Sequence, residues 1–350
     1  MRRSLGLILI ALGAFFLTLA PLVRFYVADK FVLAPLDRYQ QTKLEAPNAS
    51  YFDTAAFKVV TGATLVAANT LRGDVRANNG DDRVAVWDSS TEITDRATGK
   101  QVDMQGYRIA FDRRTSELVN CCGSQVDGDT SVAMSGYGLL LPVANVQKRS
   151  YPVFDMTTRR TLPMRFGGEE TVHGVATYRF VQEIPLAKTA AVDYKVPGEM
   201  LGLGKKTPSQ KVDRYFSATI TEWVDPRTGI PVKHRQNIKS TVQTADGKGR
   251  LTVAAADLVT VDADQKRLAE MSGDEALKIA MVRTVVPLGS VLLGLSLLLI
   301  GAMVALSAGE PSGPPAPPTA PRRSDGKFGN AAPAAGPPPA GRASRAPRTS

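Results

Sequence analysis

Two uncharged apolar runs frame this chain. Residues 5–23 and 284–308 contain no Asp, Glu, Lys or Arg. About 20 consecutive apolar residues suffice to cross the hydrocarbon core of a bilayer. The pattern predicts a first transmembrane helix over 5–27 and a second over 283–308. A cleaved signal peptide is the competing reading of the first run. Such a peptide has a shorter apolar region ending in a small-x-small cleavage site. Here the apolar run continues past Ala20 and Pro21, which favours an uncleaved anchor.

Between the runs the pattern changes to short alternating segments broken by turn residues, the signature of an antiparallel sheet. Three segments share one turn: 91–102 (TEITDRATGKQV), 108–119 (RIAFDRRTSELV) and 221–232 (TEWVDPRTGIPV). In each, an Asp opens the turn by accepting backbone hydrogen bonds, and Gly or Ser closes it four residues later. Gly99 and Gly229 are free to take the left-handed conformation that such a hairpin needs. Residues 232–243 alternate, with Lys233, Arg235, Asn237, Lys239 and Thr241 on one face and Val232, His234, Gln236, Ile238, Ser240 and Val242 on the other. Residues 175–184 and 251–261 read as further half-buried strands. Residues 29–48 read as irregular, with two prolines. Ser272-Gly273-Asp274-Glu275 has the form of a capping box, which predicts a helix starting there and running into the second span. From Pro311 the Pro/Ala/Gly-rich tail predicts disorder.

The fold class expected is an α+β membrane protein, with a predominantly antiparallel β extracytoplasmic domain between N- and C-terminal transmembrane helices. The divisions are 1–4, a cytoplasmic N-terminus; 5–27, the first span; 28–282, the β-rich domain; 283–308, the second span; and 309–350, a basic cytoplasmic tail.

Charge sets the direction. Arg2 and Arg3 precede the first span, and Arg322, Arg323, Lys327, Arg342, Arg345 and Arg348 follow the second. Cytoplasmic flanks carry the excess of Lys and Arg, so both termini are expected in the cytoplasm and the main domain outside the cytoplasmic membrane. The net charge of +10 is dispersed, and it speaks for membrane surfaces rather than nucleic acid. Small residues recur seven apart in each span: Gly6, Gly13 and Ala20, then Gly294, Gly301 and Ala308. That spacing suits two helices in close backbone contact, although Gly and Ala are also simply common in membrane helices.

Candidate chemistry is sparse. There is no Gly-x-Ser-x-Gly elbow and no His-Glu-x-x-His, and His173 and His234 are the only histidines. No catalytic residue, metal or cofactor is assigned. Cys121 and Cys122 are the only cysteines and adjacent, which excludes a multi-bridge framework. In an oxidising compartment they close on each other as a vicinal disulfide, or else they are two reduced cysteines, one or both buried as small hydrophobes. Met200, Leu201 and Leu203, next to Lys205 and Lys206, form either an exposed loop that touches a bilayer or a loop tucked onto the core. Lys233, Arg235 and Lys239 form a row on one strand face. This row is a candidate docking face for anionic headgroups; the plainer reading is a solvated outer face.

Four segments carry a resemblance: Ala34-Pro35-Leu36-Asp37 after the first span, residues 120–129 (NCCGSQVDGD), residues 178–185 (YRFVQEIP) and residues 223–232 (WVDPRTGIPV). Over roughly residues 1–308 the chain resembles the actinobacterial DUF3068 family of envelope proteins, also labelled the porin PorA family. The resemblance implies the same helix–domain–helix layout. It also implies a link to envelope lipoglycans, with whose assembly some relatives are associated. A pore needs a closed barrel or an oligomer of amphipathic spans, and these spans are wholly apolar. In layout the chain is also similar to CD36-type lipid receptors, and its hairpins look like those of curved-sheet lipid carriers.

The expected function is therefore a non-enzymatic cell-envelope protein that binds or hands on a lipid or lipoglycan intermediate. Its partners would be membrane lipids or lipoglycans. The alternatives are a scaffold that recruits an envelope biosynthetic membrane protein, and a porin or channel component. The lipid reading requires an apolar cavity of several hundred Å³ inside the domain.

Overall fold

The computed structural model describes residues 2–307; Ala308 and the tail expected to be disordered lie outside them. The first apolar run is helical from end to end: α1 (Arg2–Pro21), a π-helical turn (Leu22–Val27) and α2 (Ala28–Phe31). The last is equally continuous: α3 (Asp262–Ala280), a π-helical turn (Met281–Val285) and α4 (Val286–Ser307). Both are long and apolar enough to cross a bilayer. Their outward side chains are bare: Leu7 is 62% exposed and Leu299 66%.

The glycine seams meet each other. A Cβ on Gly13 would stand 2.8 Å from the Gly294 carbonyl oxygen, and one on Gly6 2.9 Å from that of Gly301. Only glycine permits that approach of two backbones. Where the helices leave this contact, the Arg24 guanidinium donates to the Arg283 carbonyl in the opposite π-helical turn.

This pairing sets the sheet. Its strands are β1 (Tyr39–Asp53), β2 (Lys58–Gly73), β3 (Val84–Asp95), β4 (Gln101–Asp112), β5 (Leu118–Val119), β6 (Gln125–Val126), β7 (Tyr151–Asp155), β8 (Arg160–Val172), β9 (Val175–Val196), β10 (Gln210–Val224), β11 (Pro231–Gln243) and β12 (Arg250–Thr260). The order is β5-β4-β3-β2-β1-β12-β11-β10-β9-β8-β7, with β6 on β4. The first and last long strands, which leave and re-enter the helix pair, lie side by side in the middle, and two antiparallel meanders spread from them. At their far edges the backbone of Tyr137 bridges both Glu117, beside β5, and Val153 in β7. The Tyr137 amide donates to the Pro152 carbonyl (2.8 Å) and its carbonyl accepts from Phe154 (2.8 Å). The result is a curved half-barrel whose edges are joined by one strip of loop.

The three Asp-led turns all form hairpins, and two more follow the same geometry without the Thr-Gly signature. Asp53, Asp95, Asp112, Asp155 and Asp225 each accept a backbone N–H two or three residues on. The fifth residue of each turn takes a positive φ: Phe57, Gly99, Ser116, Arg159 and Gly229.

Two expectations need correction. Residues 29–48 are not irregular, because β1 begins at Tyr39. Its inward positions Gln40 and Thr42 line a cavity, so the strand lacks the apolar alternation that marks a packed one. Pro47 falls within a register shift between Glu45 and Ser50, so its missing N–H is not needed there. Ser272 does not cap a helix either. α3 starts ten residues earlier, after extended Val261, and Ser272 lies inside it, fully buried. The Ser272 hydroxyl donates to Asp225 Oδ2 (3.0 Å) and stands 2.8 Å from the Thr228 hydroxyl. The β10–β11 turn is thereby bolted to the helix that leads into the second span. The loop with Met200, Leu201 and Leu203 is tucked in: Leu201 is buried with Val196, Val212 and Val242.

Two outcomes test this architecture. Gly13→Ile forces the helix pair apart and should lower stability in detergent by about 1–3 kcal/mol. Gly289→Ile, whose added Cβ meets nothing within 4 Å, should be neutral in the same thermal melts. The second concerns Asp95, whose carboxylate lies below its usual range because the Ala97 amide and the Tyr51 hydroxyl bond it. A depressed folded-state value stabilises above the unfolded value and fades as pH falls through the folded one. Wild type should therefore exceed Asp95→Asn in denaturant midpoint at neutral pH, and the gap should close in acid.

Candidate functional site: a two-chambered cavity

Ten strands curl around one space. A cavity of about 290 Å³ is lined from β1, β2, β3, β4, β7, β8, β9, β10, β11 and β12. The concave face of the sheet is thus its wall. Apolar patches from Leu44, Leu71, Phe216, Ile238 and Leu258 alternate with Gln40, Thr42, Asn69, Tyr107, Gln182 and Gln236. Many of these polar groups have partners already. Asn69 donates to Ser89 and Thr91 (2.8 Å each), and Gln182 to the Val153 carbonyl (2.8 Å). Glu222 lies 3.2 Å from His234 Nδ1. Burial pushes the Asp155 carboxyl and the Tyr107 phenol up from their ordinary values.

A second cavity, of about 210 Å³, lies at the helix end. Its walls are the end of α2 and the strip after it (Phe31, Val32, Leu33, Ala34, Pro35), the loop with Leu140 and Val143, and α3 with Glu275, Lys278 and Ile279. Val282, just before α4, completes it. It is markedly more apolar than the first. The two cavities share four wall residues: Arg38, Trp87, Leu140 and Ile230. Trp87 is fixed there by donating to the Pro35 carbonyl (3.1 Å) and by an edge-on contact with Phe111. The Ala34-Pro35-Leu36-Asp37 motif therefore has a structural task. Its carbonyls hold Trp87 and Arg113, and Leu36 leaves so little room that Gly73 has no space for a Cβ.

Arg38 is the residue the sequence did not single out. It is half-buried in the shared wall. Its Nη2 donates to Gln40 Oε1 (2.7 Å) and approaches Met271 Sδ (3.0 Å). Among the described residues it has no ion-pair partner. Glu275, the carboxylate that acts on it, is paired with Lys278 at 2.9 Å. Burial presses the Arg38 guanidinium below its ordinary value. Desolvating a cation without a counter-charge costs several kcal/mol, by order of magnitude.

The candidate row on β11 divides. Arg235 makes a two-pronged pair with Asp257 on β12 (2.8 and 2.6 Å). Lys233 lies over the Trp223 ring, 4.4 Å from its centre, and reaches the cavity wall. Only Lys239 stands exposed without an ion pair among the described residues. The three do not form one unpaired basic face, because cross-strand neighbours have taken two of them.

Cys121 and Cys122 are joined to each other in the turn between β5 and β6. Cys122 takes φ 63° and Gly123 φ 74°. Asn120 clamps the turn to Met134 by a pair of hydrogen bonds (2.9 and 2.8 Å). The pair lies outside both cavity walls.

A pair of bilayer-length apolar helices carrying a curved antiparallel sheet around an internal cavity is the class of protein these features define. The chain belongs to the Porin PorA family, whose model matches residues 5–303. No curated protein matches it. The family places it in the cell envelope.

Thiol blocking followed by mass spectrometry should find neither cysteine labelled and the peptide two mass units light. Free thiols in the native protein would refute the bond. Replacing both with serine should cost about 1–2 kcal/mol of stability and leave ligand retention intact.

Proposed function

We propose that the chain is a two-pass, non-enzymatic envelope protein that holds a lipid or lipoglycan intermediate in the half-barrel. Both termini are cytoplasmic in this reading, and the sheet domain stands outside the cytoplasmic membrane. One observation carries the reading. The interior of the sheet adjoins, across four shared wall residues, a more apolar chamber beside the two bilayer-length helices. Ligand sites are typically concave, mostly apolar and furnished with a few placed polar groups, and this pair of chambers has that character. A tether at both ends keeps the opening at the bilayer surface, where an amphiphile resides.

Native mass spectrometry of the detergent-purified protein tests it. Wild type should carry co-purifying lipid, and Gln236→Trp, which fills the main chamber, should lose most of it while melting as a folded protein. Absence of lipid from wild type would sink the proposal. A single dominant protein crosslinked in the native membrane would favour a scaffold instead.

The family description supports a second reading, a channel component. The two spans of one chain are apolar and packed backbone to backbone, so water would have to pass between copies. Step-like conductance from the purified protein in planar bilayers would favour that reading.

A further inference from the structure

The two chambers differ in character, and a cation without an ion-pair partner among the described residues stands where they join. The main chamber is lined by amides, hydroxyls and the charged Glu222 and Lys233, whereas the second is the more apolar of the two, with Glu275 and Lys278 the charged residues in its wall besides Arg38. Arg38 belongs to both walls. One of its nitrogens is engaged by Gln40 and Met271. Nε and Nη1 have no acceptor among the described residues. Nη2 belongs to both forked edges of the guanidinium, so the N–H groups left are those of Nε and Nη1, each able to donate singly to a phosphate or carboxylate. The nearby carboxylates have other partners: Glu275, whose charge also acts on Arg38, pairs with Lys278, and Glu222 with His234. Arg235 and Arg227, by contrast, each have a carboxylate of their own, Asp257 and Asp225.

We propose that Arg38 reads the anionic headgroup of the bound amphiphile, with the head in the main chamber and the acyl part in the second chamber, pointing back to the helices. This rests on the carrier reading and adds the charge of the ligand and its direction. The direction follows from polarity. The chamber beside the helices is the apolar one, so a molecule drawn from a bilayer advances head first while its chain stays in hydrocarbon-like surroundings. The charge follows from the guanidinium's lack of an ion-pair partner among the described residues, which an anion supplies and a zwitterion supplies less well.

The test uses the full chain in detergent micelles containing a fluorescent phosphatidylglycerol, competed by unlabelled phosphatidylglycerol or phosphatidylcholine. Wild type should prefer the anionic lipid roughly tenfold. Arg38→Gln should lose that preference, and Arg38→Lys should keep part of it. Diphenylhexatriene, an uncharged apolar probe, should bind all three equally, which shows that the cavity is still formed. Ile279→Trp, which fills the second chamber, should weaken phosphatidylglycerol binding and leave Arg38 in place. An anionic preference that survives in Arg38→Gln overturns the inference and leaves the carrier reading standing. Unchanged binding in Ile279→Trp overturns the direction assigned to the chain. Competition by glycerol phosphate as strong as by the lipid makes the site one for a free anion, and also overturns the proposal. If no probe binds wild type, the carrier reading falls first and this inference with it.

Discussion

The contact between the two helices is the constraint on which the rest of the molecule depends. Glycines at facing positions let the backbones of α1 and α4 touch. The chain therefore leaves and re-enters the domain at one place. β1 and β12, about 200 residues apart along the chain by the entropy of closure a costly loop, begin and end there and pair directly. Every other strand except β6, which pairs back on β4, is then added by a local hairpin, outward on each side. A sheet that grows both ways from its centre and twists as sheets do brings its far edges round towards each other. The short strip at Tyr137 closes the remaining gap.

The cavity follows from that route rather than from any special wall-forming sequence. A strongly curved sheet has a concave face too narrow to be filled from outside, and what remains inside is space. The helix end is bordered by α3, which is continuous with the second apolar helix. Asp225, fully buried, ties the β10–β11 turn to Ser272 in that helix. His173 and the Lys43 amide hold its first turn through Asp262 and Asp264. A shift of the second span is thus felt at the cavity floor without passing through any flexible linker. The same geometry gives the Asp-Pro-Arg-Thr-Gly turn its role. It is a hairpin like the others, and also the point where the sheet holds the helix.

Electrostatics separates the interior from the outer face. Outside, some charges are matched across strands, as Arg235 and Asp257 are, while others such as Lys239 stand in solvent, and exposed pairs are worth little. Inside, the matched pairs are few and Arg38 stands apart. An unmatched guanidinium at the junction of two chambers is a feature that packing alone would select against.

Local rules were enough to read part of this protein from its residues. Uncharged runs long enough for a bilayer are a property of composition, so both helices were legible. An Asp that accepts its own turn's amides acts over five residues, so the three marked hairpins were legible too, and the glycine seam followed from spacing. Where the expectation failed, the deciding contact was distant. β1 passed for irregular chain because its inward residues face a cavity and are polar. Ser272 passed for a helix cap because its true partners, Asp225 and Thr228, lie over 40 residues away in sequence. Lys233 and Arg235 looked like members of one basic face until Trp223 and Asp257 were seen beside them. Arg38 carried no local signal at all. Its significance arises only when β1 brings it to the wall that two chambers share, because whether a charge is matched depends on which strands become neighbours, and only the folded sheet decides that.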